Sequence, residues 1–472
     1  MTWIFAELWP HVATLLAVTL SVSTSFHAIL RKRDTRAAVG WVALSWLVPF
    51  LGALLYLLLG INRINRRAKA LRATTHLELP PRIPAIAEHR TVEPSEPHLA
   101  ALARVGSTVS RAPLLGGNTV EILDGGSTYG AMQAAIDAAT TSVALCSYIF
   151  DDDPVGRKLG RALADATQRG VPVRVLLDAV GVRYSHPPIT RWLRRHRVPT
   201  ALFLPTWVPA MWPFLNLRNH RKILVVDGRV AFTGGMNIRE QFARDAKDLH
   251  FRLTGPVVEQ LMRCFADDWG FATGERLSGP PWFPPTTETG CILARGIAGG
   301  PDEDFGTLRH VLLAAAACAQ HSLRILTPYF LPDTALANAL GVAALRGVKV
   351  DIVLPERCNL PFVQWAGTHQ LWEVLEPGCQ VYLSPPPFDH GKLVVVDEDW
   401  ALIGSSNWDP RSLRLNFEFN VELYGREIAQ RLAAVFDERR ESARAFTLYD
   451  LNARPFPVVV RDGVARLFAP YL

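Results

Sequence analysis

Two stretches of this chain carry residues whose types and spacing suit chemistry on a phosphate. The first, from His220 to Asn237, follows the pattern His-x-Lys-x4-Asp-x6-Gly-Gly-x-Asn. The second, from His390 to Asn407, repeats it with every landmark 170 residues later and Ser405 in place of the second glycine. Coincidence does not produce two such copies at one spacing, so we expect an internal repeat whose halves share one site.

The side-chain types of each copy indicate which residues would react and which would bind the phosphate. Histidine and lysine two residues apart point to the same face of a strand. Lysine neutralises phosphate oxygens as a point charge, and histidine can attack or protonate near neutral pH. The residues expected at the site are the histidines His220 and His390, the lysines Lys222 and Lys392, the asparagines Asn237 and Asn407, and the turn residues Gly235 and Ser405.

Acidic residues complete both copies. Asp248 and Glu418 stand at the same offset from their motifs, and we expect each to accept a hydrogen bond from an imidazole and to fix its tautomer. Asp227 and Asp397 follow the apolar run of each motif, which in the first copy, from Ile223 to Val226, predicts a buried strand. That position favours a structural role, in which these two carboxylates bond backbone or neighbouring groups.

The two stretches resemble the paired HKD motifs of the phospholipase D superfamily. The surrounding residues, Asn219-His-Arg-Lys-Ile-Leu-Val-Val-Asp-Gly, Thr233-Gly-Gly-Met-Asn-Ile and Gly404-Ser-Ser-Asn-Trp-Asp-Pro-Arg-Ser-Leu-Arg-Leu-Asn-Phe-Glu418, are more similar to bacterial cardiolipin synthases than to nucleases or secreted phospholipases. The resemblance covers nearly the whole chain. It implies His220 as nucleophile and His390 as general acid and base, and it counts Asp227 and Asp397 in the catalytic set. Because the two motifs are so alike, the sequence leaves the order of the histidines open.

The resemblance also implies an activity. The expected reaction moves a phosphatidyl group from one phosphatidylglycerol to another through a phosphohistidine, giving cardiolipin and glycerol. Alternatives are hydrolysis and transfer from another phospholipid such as phosphatidylethanolamine, and weaker ones are a membrane-attached nuclease and an inactive scaffold. Neither a metal nor another cofactor is expected, and the expected partners are phospholipid and membrane rather than nucleic acid. The oligomeric state is left open.

Two apolar segments near the N-terminus predict a membrane anchor in residues 1–72. Residues 8–30 and 37–61 contain no charged side chain and are long enough to cross a bilayer, so we expect two transmembrane helices. A signal peptide is the rival interpretation of the first segment, and the second segment that follows so soon argues against it. Four basic residues lie between the spans and five follow the second, a slight excess that favours a cytoplasmic catalytic part in the bacterial inner membrane.

Alternating strand and helix patterns predict an α/β fold with two similar lobes, each a mixed sheet flanked by helices and related by pseudo-twofold symmetry. The expected boundaries are a proline-rich linker at 73–115, a first lobe at 116–278, an inter-lobe linker at 279–301 and a second lobe at 302–472. A net charge of +6 and a pI near 9.1 suit an anionic partner, either a membrane surface or nucleic acid. The six cysteines are scattered and mostly in apolar segments, which indicates free thiols in a reducing compartment.

Three further features carry expectations. The aromatic and proline-rich stretch from Phe203 to Phe214 could line an acyl-chain pocket or meet the membrane interface, or its large side chains could fill the lobe core. The apolar C-terminus, from Leu467 to Leu472, could likewise dock on the protein or on the interface. Gly391 replaces the alanine or serine that relatives usually carry. It is expected to point away from His390 and to be tolerated.

Overall fold

The structure is a computed structural model that describes residues 2–32, 35–57, 93–205, 217–301 and 306–469. The chain divides into two compact units, Met1–Arg67 and Ala68–Leu472. The first unit contains the predicted anchor, and the second contains both copies of the repeat.

The first unit is built from helices α1 (Thr2–Arg31), α2 (Thr35–Leu47) and α3 (Pro49–Leu55). The part of α1 from Leu8 to Arg31 is the one described helix that is long and apolar enough to cross a membrane. The Ser21 hydroxyl donates to the Ser45 carbonyl at 2.5 Å, so small polar residues join α1 to α2. Such side chains allow apolar helices to approach closely.

The prediction of a single second helix over residues 37–61 is wrong for the part that is described. The helix is interrupted at Val48, whose φ and ψ of −138° and 76° are not helical. Pro49 explains the interruption, because its ring excludes the helical conformation from the residue before it. Residues 58–61 lie outside the described residues.

The second unit alternates strands and helices as expected. The strands of the first lobe are β1 (Leu115–Asp124), β2 (Val143–Ser147), β3 (Val173–Asp178), β4 (Thr200–Phe203), β5 (Arg218–Asn219), β6 (Ile223–Val226), β7 (Val230–Gly234), β8 (Ala246–Lys247) and β9 (Leu249–Thr254). Those of the second lobe are β10 (Ile292–Gly299), β11 (Ser322–Leu326), β12 (Lys349–Pro355), β13 (Gln380–Ser384), β14 (Phe388–Asp389), β15 (Leu393–Val396), β16 (Trp400–Gly404), β17 (Asn416–Tyr424) and β18 (Arg444–Phe446).

The helices of this unit alternate with its strands along the chain. They are α4 (Leu99–Ser110), α5 (Gly125–Asp137), α6 (Pro154–Gln168), α7 (Ile189–Arg195), α8 (Glu240–Arg244), α9 (Val257–Thr273), α10 (Thr307–Cys318), α11 (Thr334–Leu345), α12 (Pro361–Gln370), α13 (Trp372–Leu375), α14 (Pro410–Arg414), α15 (Arg426–Glu441), α16 (Leu448–Asn452) and α17 (Phe456–Leu467). A short 3-10 helix spans Gly181–Tyr184. Aspartates cap α6 and α11, where Asp153 and Asp333 accept hydrogen bonds from first-turn N–H groups.

The two lobes form one continuous sheet rather than two separate ones. Its order is β18-β13-β12-β11-β15-β16-β17-β10-β1-β9-β7-β6-β2-β3-β4. Each lobe contributes the same succession of seven strands outward from the β1–β10 seam, and the second lobe adds β18 at its outer edge. β1 and β10 pair antiparallel, with Leu115 opposite Ala294. This symmetrical succession is the structural form of the 170-residue repeat.

The structure refines the predicted linkers. The end of the first, predicted at 73–115, forms α4, whose Leu99, Leu102 and Ala103 are buried in the core of the second lobe. Apolar residues at helical spacing cause this packing, and the prolines earlier in the stretch obscured them. The inter-lobe segment 279–301 is irregular at first and then forms β10, so its second part is a central strand of the sheet.

Short strands cross between the lobes just before each motif. β5 of the first lobe pairs in parallel with the start of β17, and the His220 N–H donates to the Phe417 carbonyl at 2.8 Å. In the second lobe, β14 pairs in parallel with β8, and the His390 N–H donates to the Lys247 carbonyl at 2.7 Å. The backbone at each motif histidine therefore contacts the opposite lobe, and the strand of its own lobe, β6 or β15, begins after that contact.

Several predicted features fall at the edge of the described residues. Phe203, at the end of β4, is buried against Phe271 and Phe417, while residues 206–216, with Trp207, Met211, Trp212 and Phe214, lie outside the described residues. Leu467 and Phe468 are exposed, and residues 470–472 are likewise outside. All six cysteines are free, as expected; Cys146, Cys264 and Cys379 are buried, Cys318 and Cys358 are half-buried, and Cys291 is exposed.

Candidate active site

The crossing strands bring both histidines to the carboxylates of the opposite lobe. His220 Nδ1 lies 2.9 and 3.0 Å from the two carboxylate oxygens of Glu418, on β17. His390 Nδ1 lies 2.8 Å from Asp248 Oδ2, between β8 and β9. Since an ionised carboxylate can only accept, each imidazole carries its proton on Nδ1 and leaves the Nε2 lone pair available. The expected imidazole–acid contacts are present, and each joins one lobe to the other.

The lysines lie beside their histidines as the alternation of the strand requires. Lys222 Nζ donates to the His220 carbonyl at 2.7 Å, and Lys392 Nζ donates to the His390 carbonyl at 2.6 Å. All four side chains are buried, so their charges act in a medium of low dielectric constant.

The asparagines of the motifs are also buried. Asn237 and Asn407 each have a side-chain oxygen for which the described residues provide no hydrogen-bond partner. A buried polar atom without a partner is costly and is retained mainly at functional positions. An amide oxygen accepts hydrogen bonds, so these atoms suit a donor such as a substrate hydroxyl, whereas the predicted phosphate contact would use the Nδ2 groups as donors.

Gly235 and Ser405 occupy equivalent turns but differ in how they affect the neighbouring acid. A methyl group at Gly235 would overlap the Asp248 carboxylate, so the missing side chain makes room for that acid. The Ser405 hydroxyl instead donates to Glu418 Oε2, and Asn416 Nδ2 donates to Oε1 at 3.1 Å. The two histidine–acid pairs are thus unequal, because Glu418 receives more hydrogen bonds than Asp248.

A buried ion pair that the sequence analysis did not identify supports the first histidine. Arg221, between His220 and Lys222, pairs with Asp268 on α9 at 2.6 Å and donates to the Glu418 carbonyl at 3.1 Å. Its counterpart in the second copy is Gly391, where an added methyl would come 2.8 Å from Leu326 Cδ2, the end of a flexible side chain. The expectation that this glycine points away from the reacting groups agrees with that placement.

Asp227 and Asp397 lie at the far end of the motif strands, five residues beyond the lysines. The Asp227 carboxylate accepts the backbone N–H groups of Thr140, Thr141 and Ser142 at 2.7–3.1 Å. Asp397 does the same for residues 320–322. Five residues of extended chain span about 17 Å, so these carboxylates brace the preceding loops and do not contact the histidines. Their placement favours the structural interpretation over membership of the catalytic set.

Burial sets the proton affinity of both histidines. It lowers the pKa of His220 to about 4 although Glu418 acts in the opposite direction, and it lowers the pKa of His390 well below the ordinary value, helped by Lys392 and Lys222. Both rings are therefore neutral near pH 7, the form in which Nε2 is nucleophilic.

The lysines and acids are shifted as well. Burial lowers the pKa of Lys222 to about 7 and that of Lys392 to about 8, while the neighbouring carboxylates oppose the shift. Burial raises the pKa of Asp248 to about 6. Burial also acts to raise the pKa of Glu418, but His220, Lys222 and the Ser405 hydroxyl outweigh it and hold the pKa below the ordinary value. Glu418 is thus the more firmly ionised acid.

The site has no obvious metal-binding group in the part of the chain that is described. No cluster of three or more His, Cys, Asp or Glu side chains suited to an ion is found among those residues. The expectation of chemistry without a cofactor stays a prediction.

Comparisons with known proteins agree with this geometry. The family profile described as "Cardiolipin synthase, PLD-like domain" matches residues 132–269 and 312–440, one match in each lobe. A second profile, "Phospholipase_D-nuclease N-terminal", matches residues 19–60. A solved structure, phosphatidylserine synthase of Haemophilus influenzae Rd KW20, superposes with a TM-score of 0.59 at 16% identity, covering 79% of this chain and 100% of that one. At that identity it shows the fold alone.

Curated relatives cover nearly the whole chain. A cardiolipin synthase of Geobacillus kaustophilus (strain HTA426) is 33% identical over 97% of this chain and 94% of its own length. The major cardiolipin synthase of Bacillus subtilis (strain 168) is 29% identical over 97% of this chain and 98% of its own length, and cardiolipin synthase A of Pseudomonas putida (strain GB-1) is 32% identical over 96% of each. With both repeats matched by the family profile and a curated relative 33% identical over 97% of this chain, the chain belongs to the cardiolipin synthase family of phospholipase D-like proteins.

Proposed function

We propose that this protein is a phosphatidyltransferase that joins two phosphatidylglycerol molecules into cardiolipin and releases glycerol. One observation carries the proposal: two histidines, each held in its nucleophilic tautomer by an acid of the opposite lobe. The relatives named cardiolipin synthase, similar over nearly their full length, supply the substrate class.

The chemistry proceeds in two displacements. Nε2 of one histidine attacks phosphorus, an N–P bond forms, and the P–O bond to the glycerol headgroup breaks as the other histidine gives that oxygen a proton. The second histidine, now neutral, then takes the proton of the incoming hydroxyl, whose oxygen forms the new P–O bond while the N–P bond breaks. The lysines Lys222 and Lys392 and the asparagines Asn237 and Asn407 hold the non-bridging oxygens and stabilise the developing charge.

Charge balance explains how a neutral histidine becomes an acid. With both lysines protonated and both acids ionised, the charges of Lys222, Lys392, Asp248 and Glu418 cancel. A bound phosphodiester adds one negative charge, which raises the pKa of the adjacent imidazoles. Substrate binding therefore favours uptake of one proton onto a histidine, and the site acquires its general acid only when the substrate is present.

The pH dependence of kcat/KM is expected to follow the protonation of the two lysines. We expect kcat/KM for phosphatidylglycerol to fall as the pH rises through 7 to 8, because Lys222 and Lys392, with pKa values lowered to about 7 and about 8, lose their charge above those values. The measurement is kcat/KM in mixed micelles at constant ionic strength, where the lipid phosphodiester stays anionic. A flat profile up to pH 9 would show that neither lysine titrates as described.

The placement of Asp227 gives a prediction for stability. Asp227→Asn keeps a residue that tolerates the left-handed backbone here, where φ is 54°, but removes a carboxylate that accepts three backbone N–H groups. We expect the free energy of unfolding to fall by about 1–2 kcal/mol, measured by denaturant titration of the detergent-solubilised chain, with turnover per folded molecule retained. Lost turnover at full stability would return Asp227 to the catalytic set.

Membrane attachment completes the proposal. The apolar part of α1 anchors the chain in the bacterial inner membrane, and the match of residues 19–60 to the N-terminal profile supports an anchor. We propose that α2, α3 and the residues that follow form a second crossing, with the catalytic unit in the cytoplasm. Cys291, an exposed thiol of that unit, provides the test. A membrane-impermeant maleimide should label it only in permeabilised cells, and labelling in intact spheroplasts would reverse the orientation.

The activity itself is tested by product analysis. Purified full-length protein is given phosphatidylglycerol alone and then with phosphatidylethanolamine, both in the presence of a chelator. Cardiolipin from phosphatidylglycerol alone is the expected product. Phosphatidic acid as the main product would identify water as the acceptor, and a product that requires phosphatidylethanolamine would change the donor.

A further inference from the structure

Helix α17 has an apolar stripe on its exposed side. Phe456 and Leu467 are 79% and 75% exposed, and they stand eleven residues apart, a spacing that places them on one face of a helix. The other members of the stripe are Val460 at 46%, Val464 at 48% and Phe468 at 49% exposure. The buried side of the helix contains a carboxylate, that of Asp462. This distribution is the reverse of an ordinary surface helix, in which apolar side chains face inward and charged ones outward.

α17 packs on α12, and α12 packs on the segment that follows β11. Ala465 of α17 is buried together with Ala366 of α12 and with Leu331 of that segment. A methyl group at Gly367 of α12 would lie 2.5 Å from the Phe330 carbonyl oxygen, so the helix approaches this backbone closely. The position of the stripe relative to the segment is therefore fixed by close packing.

The same segment reaches the active site. The Tyr329 ring lies 6.2 Å from the His390 ring, and the Tyr329 hydroxyl donates to Asn359 Oδ1 at 2.7 Å. Three residues further along the chain, in the first turn of α12, the Phe362 ring lies 5.7 Å from the Phe468 ring. A continuous succession of contacts thus joins the His390 imidazole to the apolar stripe.

The charges beside the stripe suit an anionic surface. Residues 454–468 contain three arginines and one aspartate. Arg454 and Arg461 share that one carboxylate, at 2.6 and 2.7 Å, and Arg466 pairs with Glu373 of α13 at 2.6 Å. Three arginines and two carboxylates leave an excess of one positive charge. Apolar side chains flanked by arginine are typical of helices that lie in the interface of an anionic bilayer.

We propose that the stripe of α17, together with Phe362, is a membrane contact separate from the N-terminal anchor, which holds the catalytic unit against an anionic bilayer on the His390 side of the site. This inference rests on the proposed use of phosphatidylglycerol, a bilayer lipid that must reach two buried histidines. A contact beside the site allows the lipid to pass from the bilayer to the histidines without exposing its acyl chains to water. It also removes the stripe from water, which explains why an exposed apolar patch is present there.

Supply of the substrate from a bilayer or from water tests this contact. Full-length protein is reconstituted in phosphatidylcholine vesicles, and phosphatidylglycerol is added either as long-chain lipid in the bilayer or as water-soluble short-chain lipid. Release of glycerol is measured, because it counts each turnover with any acceptor. We expect the double variant Phe456→Ser, Leu467→Ser to lower the rate with bilayer lipid about tenfold, since two large apolar side chains leave the lipid contact. The rate with the soluble lipid should be unchanged.

Matched variants separate a membrane contact from the mere loss of an exposed apolar side chain. Phe456→Leu combined with Leu467→Phe keeps both positions apolar and should retain the wild-type rate. Leu345→Ser removes a side chain of α11 that is 73% exposed, and should also retain that rate. Leu345 lies at the end of the sheet away from the histidines, because its neighbour Arg346 donates to a carbonyl next to the N–H groups that Asp397 accepts.

Three results would overturn the proposal. The first is an equal rate with bilayer lipid for the wild type and the serine variant. The second is an equal loss with both substrates, which would show that the two side chains support the fold or the site. The third is loss of a dimer that the wild type forms in detergent, measured by light scattering, which would make the stripe an interface between two copies. A wild type that releases no glycerol from either substrate would instead refute the proposed function, and this inference with it.

Discussion

Replacing either His220 or His390 by alanine is expected to lower the rate of cardiolipin formation by about 10⁴-fold or more. Both residues take part in bond making or proton transfer, and removal of a group of this kind typically costs that much. The rate is measured with labelled phosphatidylglycerol at saturating lipid, because the loss should appear in kcat.

The control for this result is a third buried histidine, His250. It is fully enclosed like the other two, but among the described residues its Nδ1 has no hydrogen-bond partner. The second lobe carries Asn420 at the equivalent position, so His250→Asn installs a residue that the fold already accommodates there. Turnover within about tenfold of the wild type is expected. A histidine-to-alanine variant that kept comparable turnover would exclude the two-histidine mechanism.

The acids that cross between the lobes should have the next largest effect. Glu418→Gln is expected to lower kcat about a thousandfold, as the loss of an orienting carboxylate does in other catalytic triads. Both oxygens of Glu418 accept hydrogen bonds, from His220, Asn416 and Ser405. The glutamine amide must therefore oppose one of these donors, and facing His220 it would select the wrong tautomer. Asp248→Asn should act in the same way on His390.

Glu422→Gln provides the matched control for that variant. Glu422 lies on the same strand, four residues beyond Glu418, is equally buried, and forms an ion pair with Arg295 away from the histidines. We expect it to lower the unfolding temperature and to retain kcat per folded molecule. If Glu418→Gln and Glu422→Gln gave the same pattern, the effect of Glu418 would be structural.

Much of this architecture could be predicted because the sequence contains the same motif twice. The two motifs identified the histidines and lysines, the apolar runs located β6 and β15, and the shared offset selected Asp248 and Glu418. A duplicated pattern is informative because both copies must satisfy the same geometry. The repeat could not show that each acid bonds the histidine of the other lobe, because spacing along the chain does not indicate which lobe supplies a partner.

Other features depend on context that a linear pattern does not display. Pro49 interrupts the predicted second span. The helical spacing of α4 was not recognised because prolines precede it in the same stretch. β10 lies within a segment that was predicted to be a linker, although it pairs with β17 in the centre of the sheet. The ion pair between Arg221 and Asp268 could not be predicted either, because only the fold brings α9 beside the first motif.

The most direct test of this account is to trap the covalent intermediate. A phosphatidyl ester with an activated leaving group needs no general acid, so one of the two variants His220→Ala and His390→Ala should be able to form the intermediate and should be slow to release it. Peptide mapping by mass spectrometry is predicted to find the phosphatidyl group on the remaining motif histidine of that variant, with no adduct in the other variant. Equal adducts in both variants would contradict a division of roles between the two histidines. The absence of an adduct from both variants would contradict the two-step mechanism itself.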